Sequence, residues 1–171
     1  MNAGVALASK LGFGLAGVEL NIQGEKNLLA ARPAVFIGNH QSSLDPLVAG
    51  ALLERDFTAV AKAEAKRDPR MFLMNLILNP AFIDRGDNAK AVATLAQVTE
   101  RIRSGTSLLI FPEGTRSSTQ RLGRFKKGAF HMAMEAGVPI VPIVFRNTGD
   151  LMWRRSLVIN PGTVDVVVLD P

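Results

Sequence analysis

The stretch Ala34-Val35-Phe36-Ile37-Gly38-Asn39-His40-Gln41-Ser42-Ser43-Leu44-Asp45-Pro46 passes from a short apolar run, through a polar loop, into a helix start. Ala34–Gly38 reads as a strand. Asp45 followed by Pro46 reads as a helix opening, with Asp45 as N-cap and Pro46 at the first helical position. His40 and Asp45 are five residues apart, which on a continuous helix is a rotation of about 500° and points them away from each other. They meet only if the chain turns between them, so the reading places His40 on a loop folded over the start of a helix at Leu44–Glu54.

The pattern repeats outward from this stretch. Val18–Gln23, Thr58–Ala61, Ala81–Ile83, Ser107–Phe111, Ile140–Phe145, Ser156–Ile159 and Val164–Leu169 also read as strands. Asn88–Ser104 and Lys126–Ala136 read as helices. In the former, Ala91, Val92, Leu95, Val98 and Ile102 share a face, and Gly105 supplies the stop. Strands alternating with helices predict an α/β domain with a central, largely parallel mixed sheet flanked by helices. Sites in such sheets sit on loops at the carboxyl ends of strands. Asn39–Asp45 and Pro112–Arg116 both occupy that position.

Composition narrows the chemistry. The 171 residues suit one domain. The absence of cysteine excludes disulfides, thiolate catalysis and Cys-based zinc sites, and two histidines argue against a His-rich metal site. A net charge of +5 points to an anionic partner. The chain lacks Tyr and its Phe residues lie in apolar runs, unlike a base-stacking platform. No nucleic acid is expected.

His40 and Asp45 suit a dyad in which the carboxylate accepts the imidazole Nδ1–H and stabilises the imidazolium formed when Nε2 takes a proton. The plainer alternative is a helix cap beside an incidental histidine. Ser42 and Ser43 are near, but the G-x-S-x-G elbow of a serine hydrolase is absent. Direct attack by a substrate hydroxyl deprotonated by His40 is therefore the simpler scheme. In Phe111-Pro112-Glu113-Gly114-Thr115-Arg116, Gly114 allows close backbone approach and Arg116 offers a planar fork for phosphate oxygens. Arg121, Arg124, Lys126 and Lys127 follow, and Arg85 lies after another strand. Against this stand the plainer readings, a Glu113–Arg116 ion pair and a solvated loop, which is what a charge run usually is.

These residues resemble the 1-acyl-glycerol-3-phosphate (lysophosphatidic acid) acyltransferase family, within the glycerolipid acyltransferases. Asn39-His40 followed by Asp45 is similar to its N-H-x-x-x-x-D motif. Phe82-Ile83-Asp84-Arg85, Phe111–Arg116 and Val138-Pro139-Ile140-Val141-Pro142 resemble its next three motifs, in order. The resemblance implies a glycerolipid acyltransferase-like fold, His40 as base and Asp45 as its orienting carboxylate. It implies Arg85, Glu113, Gly114, Thr115 and Arg116 around the phosphate-bearing acceptor, with Lys126 in a recurrent basic segment and Lys62 lining the acceptor or acyl site. It further implies acyl-CoA or acyl carrier protein as donor, lysophosphatidic acid as acceptor, phosphatidic acid as product, and no metal or other cofactor. Asn79, Ala65 and Ser43 depart from the family pattern and bear on acyl-chain and acceptor preference. Acylation of glycerol 3-phosphate at sn-1 or of another lysophospholipid, and a non-catalytic module binding anionic lipid, remain alternatives.

Residues 1–17 are expected to form an apolar docking segment and 18–171 the acyltransferase domain. The stop at Asp170-Pro171, straight after a strand, is compatible with a missing C-terminal portion. Ala3–Val18 falls short of the roughly 18 uninterrupted apolar residues of a membrane span. That segment reads equally as a membrane-docking helix or an ordinary buried one, and Met71–Leu78, behind Arg67 and Arg70, reads as core packing before an adaptable lipid groove; docking leads to the expectation of a protein associated with an anionic membrane surface, on its cytoplasmic face.

Overall fold

A computed structural model describes residues 3–68, 71–72, 75, 78–84, 86–117, 119, 121–153, 156 and 158–171. The strands are β1 (Val18–Gln23), β2 (Val35–Gly38), β3 (Phe57–Lys62), β4 (Ala81–Ile83), β5 (Ser107–Ile110), β6 (Ile140–Arg146) and β7 (Gly162–Val168). The helices are α1 (Ala3–Leu15), α2 (Asn27–Ala30), α3 (Leu44–Leu53), α4 (Asn88–Arg103), α5 (Gly128–Ala136) and α6 (Thr148–Leu151), with a 3-10 turn at Ala63–Lys66. The strands form one mixed sheet ordered β1-β7-β6-β2-β5-β3-β4. Every neighbouring pair is parallel except β6 and β7.

Each face of the sheet carries its own core. Phe36, Leu109, Val141, Ile143 and Phe145 pack with Phe13 of α1 and with Leu44, Val48 and Leu52 of α3. Val35, Ile37 and Leu108 pack on the other face with Val98 and Ile102 of α4 and Met132 of α5. The period-2 alternation of strand side chains divides them in this way, and each such side chain removed from water contributes roughly 1.5–3 kcal/mol.

Local chemistry sets the helix ends. The Asp87 side chain accepts the Lys90 backbone N–H and caps α4, and this bond, followed by the Lys90 side chain, lowers its pKa. α3 ends where Glu54 takes a φ of 58°. There the half-buried Arg32 guanidinium donates to the Leu53 and Arg55 carbonyls, and its Nε donates to the Leu28 carbonyl. Burial pulls the Arg32 pKa below its ordinary value, with Asp56 acting in the opposite sense.

Three expectations need correction. Ser156, Val158 and Ile159 form no strand; the Ser156 hydroxyl instead accepts the Val158 N–H in a local turn, and Leu157 lies outside the described residues. Val92 is 64% exposed, and Thr99 joins the buried stripe of α4 in its place, its hydroxyl bonded to the Leu95 carbonyl. Asp45 is not the N-cap of α3: Ser43 holds that position and Asp45 lies in the first turn. The Ser42 hydroxyl accepts the Leu44 N–H, while the Asp45 carboxylate turns back to the preceding loop.

Among the described residues no helix is long and apolar enough to cross a membrane. α1 packs on α3 and β1 through buried Ala6 and Phe13, and Lys10 pairs with Glu54 at 2.5 Å. Leu7, Leu11 and Leu15 are 60%, 61% and 92% exposed and recur at one-turn spacing. Of Met71–Leu78, residues 73, 74, 76 and 77 lie outside the described residues, as does residue 70; Phe72 is exposed and Leu78 buried.

Candidate active site

Parallel pairing places Val35, Phe36 and Ile37 of β2 beside Leu108, Leu109 and Ile110 of β5. The two chains therefore leave the sheet at the same level, and the loops that follow meet. The Ser117 N–H donates to the His40 carbonyl at 2.7 Å, and the His40 N–H donates to Glu113 Oε1 at 2.8 Å. Two segments separated by about seventy residues thus become one site because their strands are neighbours.

The Asp45 carboxylate organises the first loop. Its Oδ2 lies 2.8 Å from His40 Nδ1 and accepts the backbone N–H groups of Gln41 at 2.7 Å and Ser42 at 2.8 Å. Three donors on one oxygen fix both the ring and the turn that presents it. Asp45 is fully buried, and its Oδ1 accepts no hydrogen bond from the described residues. Its charge sits in the first turn of α3, where the helix dipole favours an anion. With Nδ1 donating to Asp45, the His40 tautomer leaves a lone pair on Nε2, and the side chain is 18% exposed.

Glu113 is the second organiser. It is buried, with Oε1 on the His40 N–H and Oε2 accepting the Gly123 N–H at 2.8 Å. A Cβ at Gly123 would stand 2.8 Å from that same Oε2, so any larger residue there would displace the carboxylate. Both oxygens that sequence reading offered to a ligand are engaged by backbone.

Arg116 is half-buried, and its Nη1 donates to Ser43 Oγ at 2.6 Å, which brings a cation to the start of α3 beside the dyad. Gly114 takes a φ of +72° and turns the chain back toward Phe111. Thr115 is exposed at that turn, and the Lys126 backbone N–H donates to the Pro112 carbonyl. Lys62 is exposed at the end of β3, separated from β2 by β5. The structure thus unites His40, Asp45, Glu113 and Arg116 and leaves Lys62 on the same sheet edge farther out. Arg85 lies outside the described residues. Among the described residues no group of three His, Asp or Glu side chains could hold a metal ion.

Several supporting residues escaped sequence reading. Phe111 stacks on the His40 ring, with centroids 4.3 Å apart and planes inclined by 24°. Asn39 donates to the Phe145 carbonyl at 2.9 Å and accepts the Phe145 N–H at 2.7 Å, so its amide extends the β2–β6 ladder by one step. Gly38 is the gap that admits both rings, since a Cβ there would lie 2.7 Å from Phe145 and 3.0 Å from Phe111. Ser42 is fully buried and donates to the Met152 carbonyl, so its hydroxyl holds the loop down. The signal lay in their position, Gly38 as the last residue of a buried strand and Asn39 immediately after it.

Known proteins resemble this chain in sequence and in fold. The 1-acyl-sn-glycerol-3-phosphate acyltransferase of Saccharomyces cerevisiae is 37% identical over 158 residues, covering 91% of this chain and 52% of that protein. The human 1-acyl-sn-glycerol-3-phosphate acyltransferase beta is 34% identical over 155 residues, covering 90% and 56%. The chain therefore spans about half the length of these relatives. The crystal structure of the 1-acyl-sn-glycerophosphate acyltransferase PlsC from Thermotoga maritima superposes with a TM-score of 0.80 at 24% identity, over 98% of this chain and 67% of that one, and so shares the fold. Residues 19–146, which include both loops of the site, match the sequence model described as Acyltransferase, and the chain belongs to that family.

Proposed function

We propose that the protein transfers a fatty acyl group from an acyl thioester to the sn-2 hydroxyl of lysophosphatidic acid, giving phosphatidic acid. The observation that carries this reading is the His40 Nδ1–Asp45 Oδ2 contact of 2.8 Å, with Arg116 drawn to the same loop through Ser43. The names of the relatives supply the acceptor class.

In this scheme the acceptor phosphate pairs with Arg116, whose planar fork suits its oxygens. His40 Nε2 removes the hydroxyl proton as the oxygen attacks the thioester carbonyl carbon. Asp45 stabilises the resulting imidazolium. The tetrahedral intermediate collapses with cleavage of the C–S bond, and the leaving thiolate recovers the proton from His40. The ester and a free thiol result, and no metal takes part. Gly114 and Thr115 line the acceptor side of the site, with Arg85, Lys62 and Lys126 extending its positive charge. Glu113 acts by holding the His40 backbone.

The exposed Leu7, Leu11 and Leu15 stripe of α1 supports docking at a lipid interface, without a spanning segment. An anionic membrane surface on the cytoplasmic side would suit the net charge of +5.

The test offers lysophosphatidic acid and labelled acyl-CoA to wild type, His40→Ala and Arg116→Ala. His40→Ala is expected to lower turnover by at least about 10²-fold, the usual scale of general-base catalysis. Arg116→Ala is expected chiefly to raise the KM for the acceptor. Turnover unchanged in His40→Ala would overturn the mechanism.

A further inference from the structure

The partner of the Arg116 guanidinium is a serine that the helix beside it does not use. Ser43 is the N-cap of α3, where a serine hydroxyl ordinarily accepts a backbone N–H of the first turn. Here it accepts none. Its backbone already lies in the α region, at φ −70° and ψ −12°, instead of the extended region from which a cap reaches back. The third position of the helix is Pro46, which has no N–H to offer. The Leu44 N–H is taken by the Ser42 hydroxyl. Two adjacent serines thus divide the helix start. Ser42 is fully buried and holds the loop, while Ser43 is half-buried and meets Arg116.

A hydroxyl both accepts and donates. Ser43 Oγ accepts from Arg116 Nη1 at 2.6 Å, and among the described residues its own O–H donates to no acceptor. Accepting from a cation polarises the hydroxyl and makes it a stronger donor. Both residues are half-buried, so the pair reaches solvent. Its place beside the base is fixed from two directions. Ser43 follows His40 by three residues on one loop, and Ser117, next to Arg116, donates its N–H to the His40 carbonyl at 2.7 Å. α3 begins here and runs for ten residues, so its positive end adds to the guanidinium. Asp45 brings the opposite charge, but its Oδ2 is engaged by His40, Gln41 and Ser42.

We propose that Ser43 is a second direct ligand of the acceptor's phosphate, donating its O–H to a terminal oxygen beside Arg116, and that this donor selects phosphate monoesters over diesters. The inference rests on the reading of the site as an acyltransferase and defines its acceptor class. A phosphate monoester presents three terminal oxygens and a charge of about −1.5 to −2 near neutral pH. A lysophospholipid with an esterified headgroup presents two such oxygens and a single negative charge. The planar fork of a guanidinium matches two oxygens of either. The third oxygen belongs to the monoester alone, and the Ser43 O–H is the donor that meets it. In lysophosphatidic acid the carbon bearing the reacting hydroxyl is separated from phosphorus by one methylene and one ester oxygen. A phosphate held at Ser43 therefore keeps that hydroxyl on the loop that carries His40.

Binding of lysophosphatidic acid below its micellar concentration, measured by calorimetry without an acyl donor, tests this independently of turnover. Ser43→Ala is expected to weaken binding about tenfold or more, the usual effect of losing a hydrogen bond to an ionised group. Ser43→Thr keeps the hydroxyl and should stay within about threefold of wild type. A direct ligand also acts without Arg116, so Ser43→Ala should still weaken binding at least about threefold in an Arg116→Ala background. Wild type should prefer lysophosphatidic acid to lysophosphatidylcholine, and Ser43→Ala should shrink that preference about tenfold. In steady-state assays Ser43→Ala should raise the KM for lysophosphatidic acid and leave kcat within about twofold. Unchanged binding in Ser43→Ala, or equal affinity of wild type for the two lipids, would overturn the proposal. An effect that vanishes in the Arg116→Ala background would overturn it as well, and would make Ser43 a positioning residue for the guanidinium. A loss confined to kcat would do the same and place Ser43 with the base. Wild type that turns over no acceptor yet binds lysophosphatidic acid through Ser43 would instead count against the acyltransferase reading of the site.

Discussion

The Phe111 ring lies against the His40 imidazole, 4.3 Å between centroids and 24° between planes, on the residue that begins the turn carrying Glu113 and Arg116. Asp45 fixes the ring at Nδ1, and Phe111 restricts rotation about that anchor. Phe111 is itself held by Phe145, 6.2 Å away. Phe111→Leu keeps apolar volume but removes the flat surface. Its expected effect is a roughly tenfold fall in kcat, or about 1.4 kcal/mol of transition-state stabilisation, with donor and acceptor KM little changed. Steady-state kinetics on folded protein check this; an effect on KM alone would mean that Phe111 touches substrate instead.

Glu113→Gln is nearly isosteric and should still damage the site. Both carboxylate oxygens accept backbone N–H groups, from His40 and from Gly123. The glutamine amide nitrogen can accept from neither, so one buried N–H would face a donor. Loss of that bond is expected to cost about 1–3 kcal/mol, read as a lower denaturation midpoint, together with reduced kcat. Gly123→Ala should give a similar phenotype, because its Cβ would stand 2.8 Å from Glu113 Oε2 and push the carboxylate off its two backbone donors. If Glu113→Gln raised only the acceptor KM and left stability intact, the carboxylate would be a substrate ligand instead of a scaffold.

The contrast between these two glutamate roles shows what one dimension of sequence carries. Strands such as Ser107–Ile110 and Ile140–Arg146 were legible because apolar β-rich runs alternate with helical ones, and the His40–Asp45 spacing forced a turn whatever followed. The mixed parallel sheet and the meeting of the two loops followed from that alternation. A carboxylate spent on backbone N–H groups leaves no such mark, and neither does an aromatic such as Phe111 that sits in an apolar run. The misassigned strand at Ser156–Ile159 has the same origin: Val158 and Ile159 favour strands, but the Ser156 hydroxyl bonds locally to the Val158 N–H and competes with a ladder.

Asn39 extends this point, because its partner lies 106 residues away. Its amide both donates to and accepts from the Phe145 backbone at the end of β6. Asn39→Leu would leave a buried N–H and a buried carbonyl unpaired, at about 1–3 kcal/mol for each. Asn39→Asp retains the acceptor but sets a carboxylate oxygen against the Phe145 carbonyl, so it should be destabilised as well. Chemical denaturation of the three proteins checks the ranking. Unaltered midpoints would show that the reciprocal pair contributes nothing, and would leave the position of Asn39 before the base unexplained.

The tie between α1 and α3 gives a prediction in pH. Lys10 Nζ lies 2.5 Å from Glu54 Oε1, and this hydrogen bond, followed by the charge of Lys10, lowers the Glu54 pKa. A carboxyl depressed in the folded state adds stability above its unfolded pKa and loses it as pH falls through the folded one. The pair is more than half exposed, so solvent screening limits its contribution to at most about 1 kcal/mol. Glu54→Gln should therefore melt slightly below wild type at neutral pH. The difference should close as pH falls below the ordinary glutamate range, and should shrink in high salt at neutral pH. Thermal melts across that range check the sign. A gap that persists into acid would assign the effect to packing at the strained φ of Glu54, and the leucine-bearing helix would then be held to α3 by packing such as that of Ala6 and Phe13.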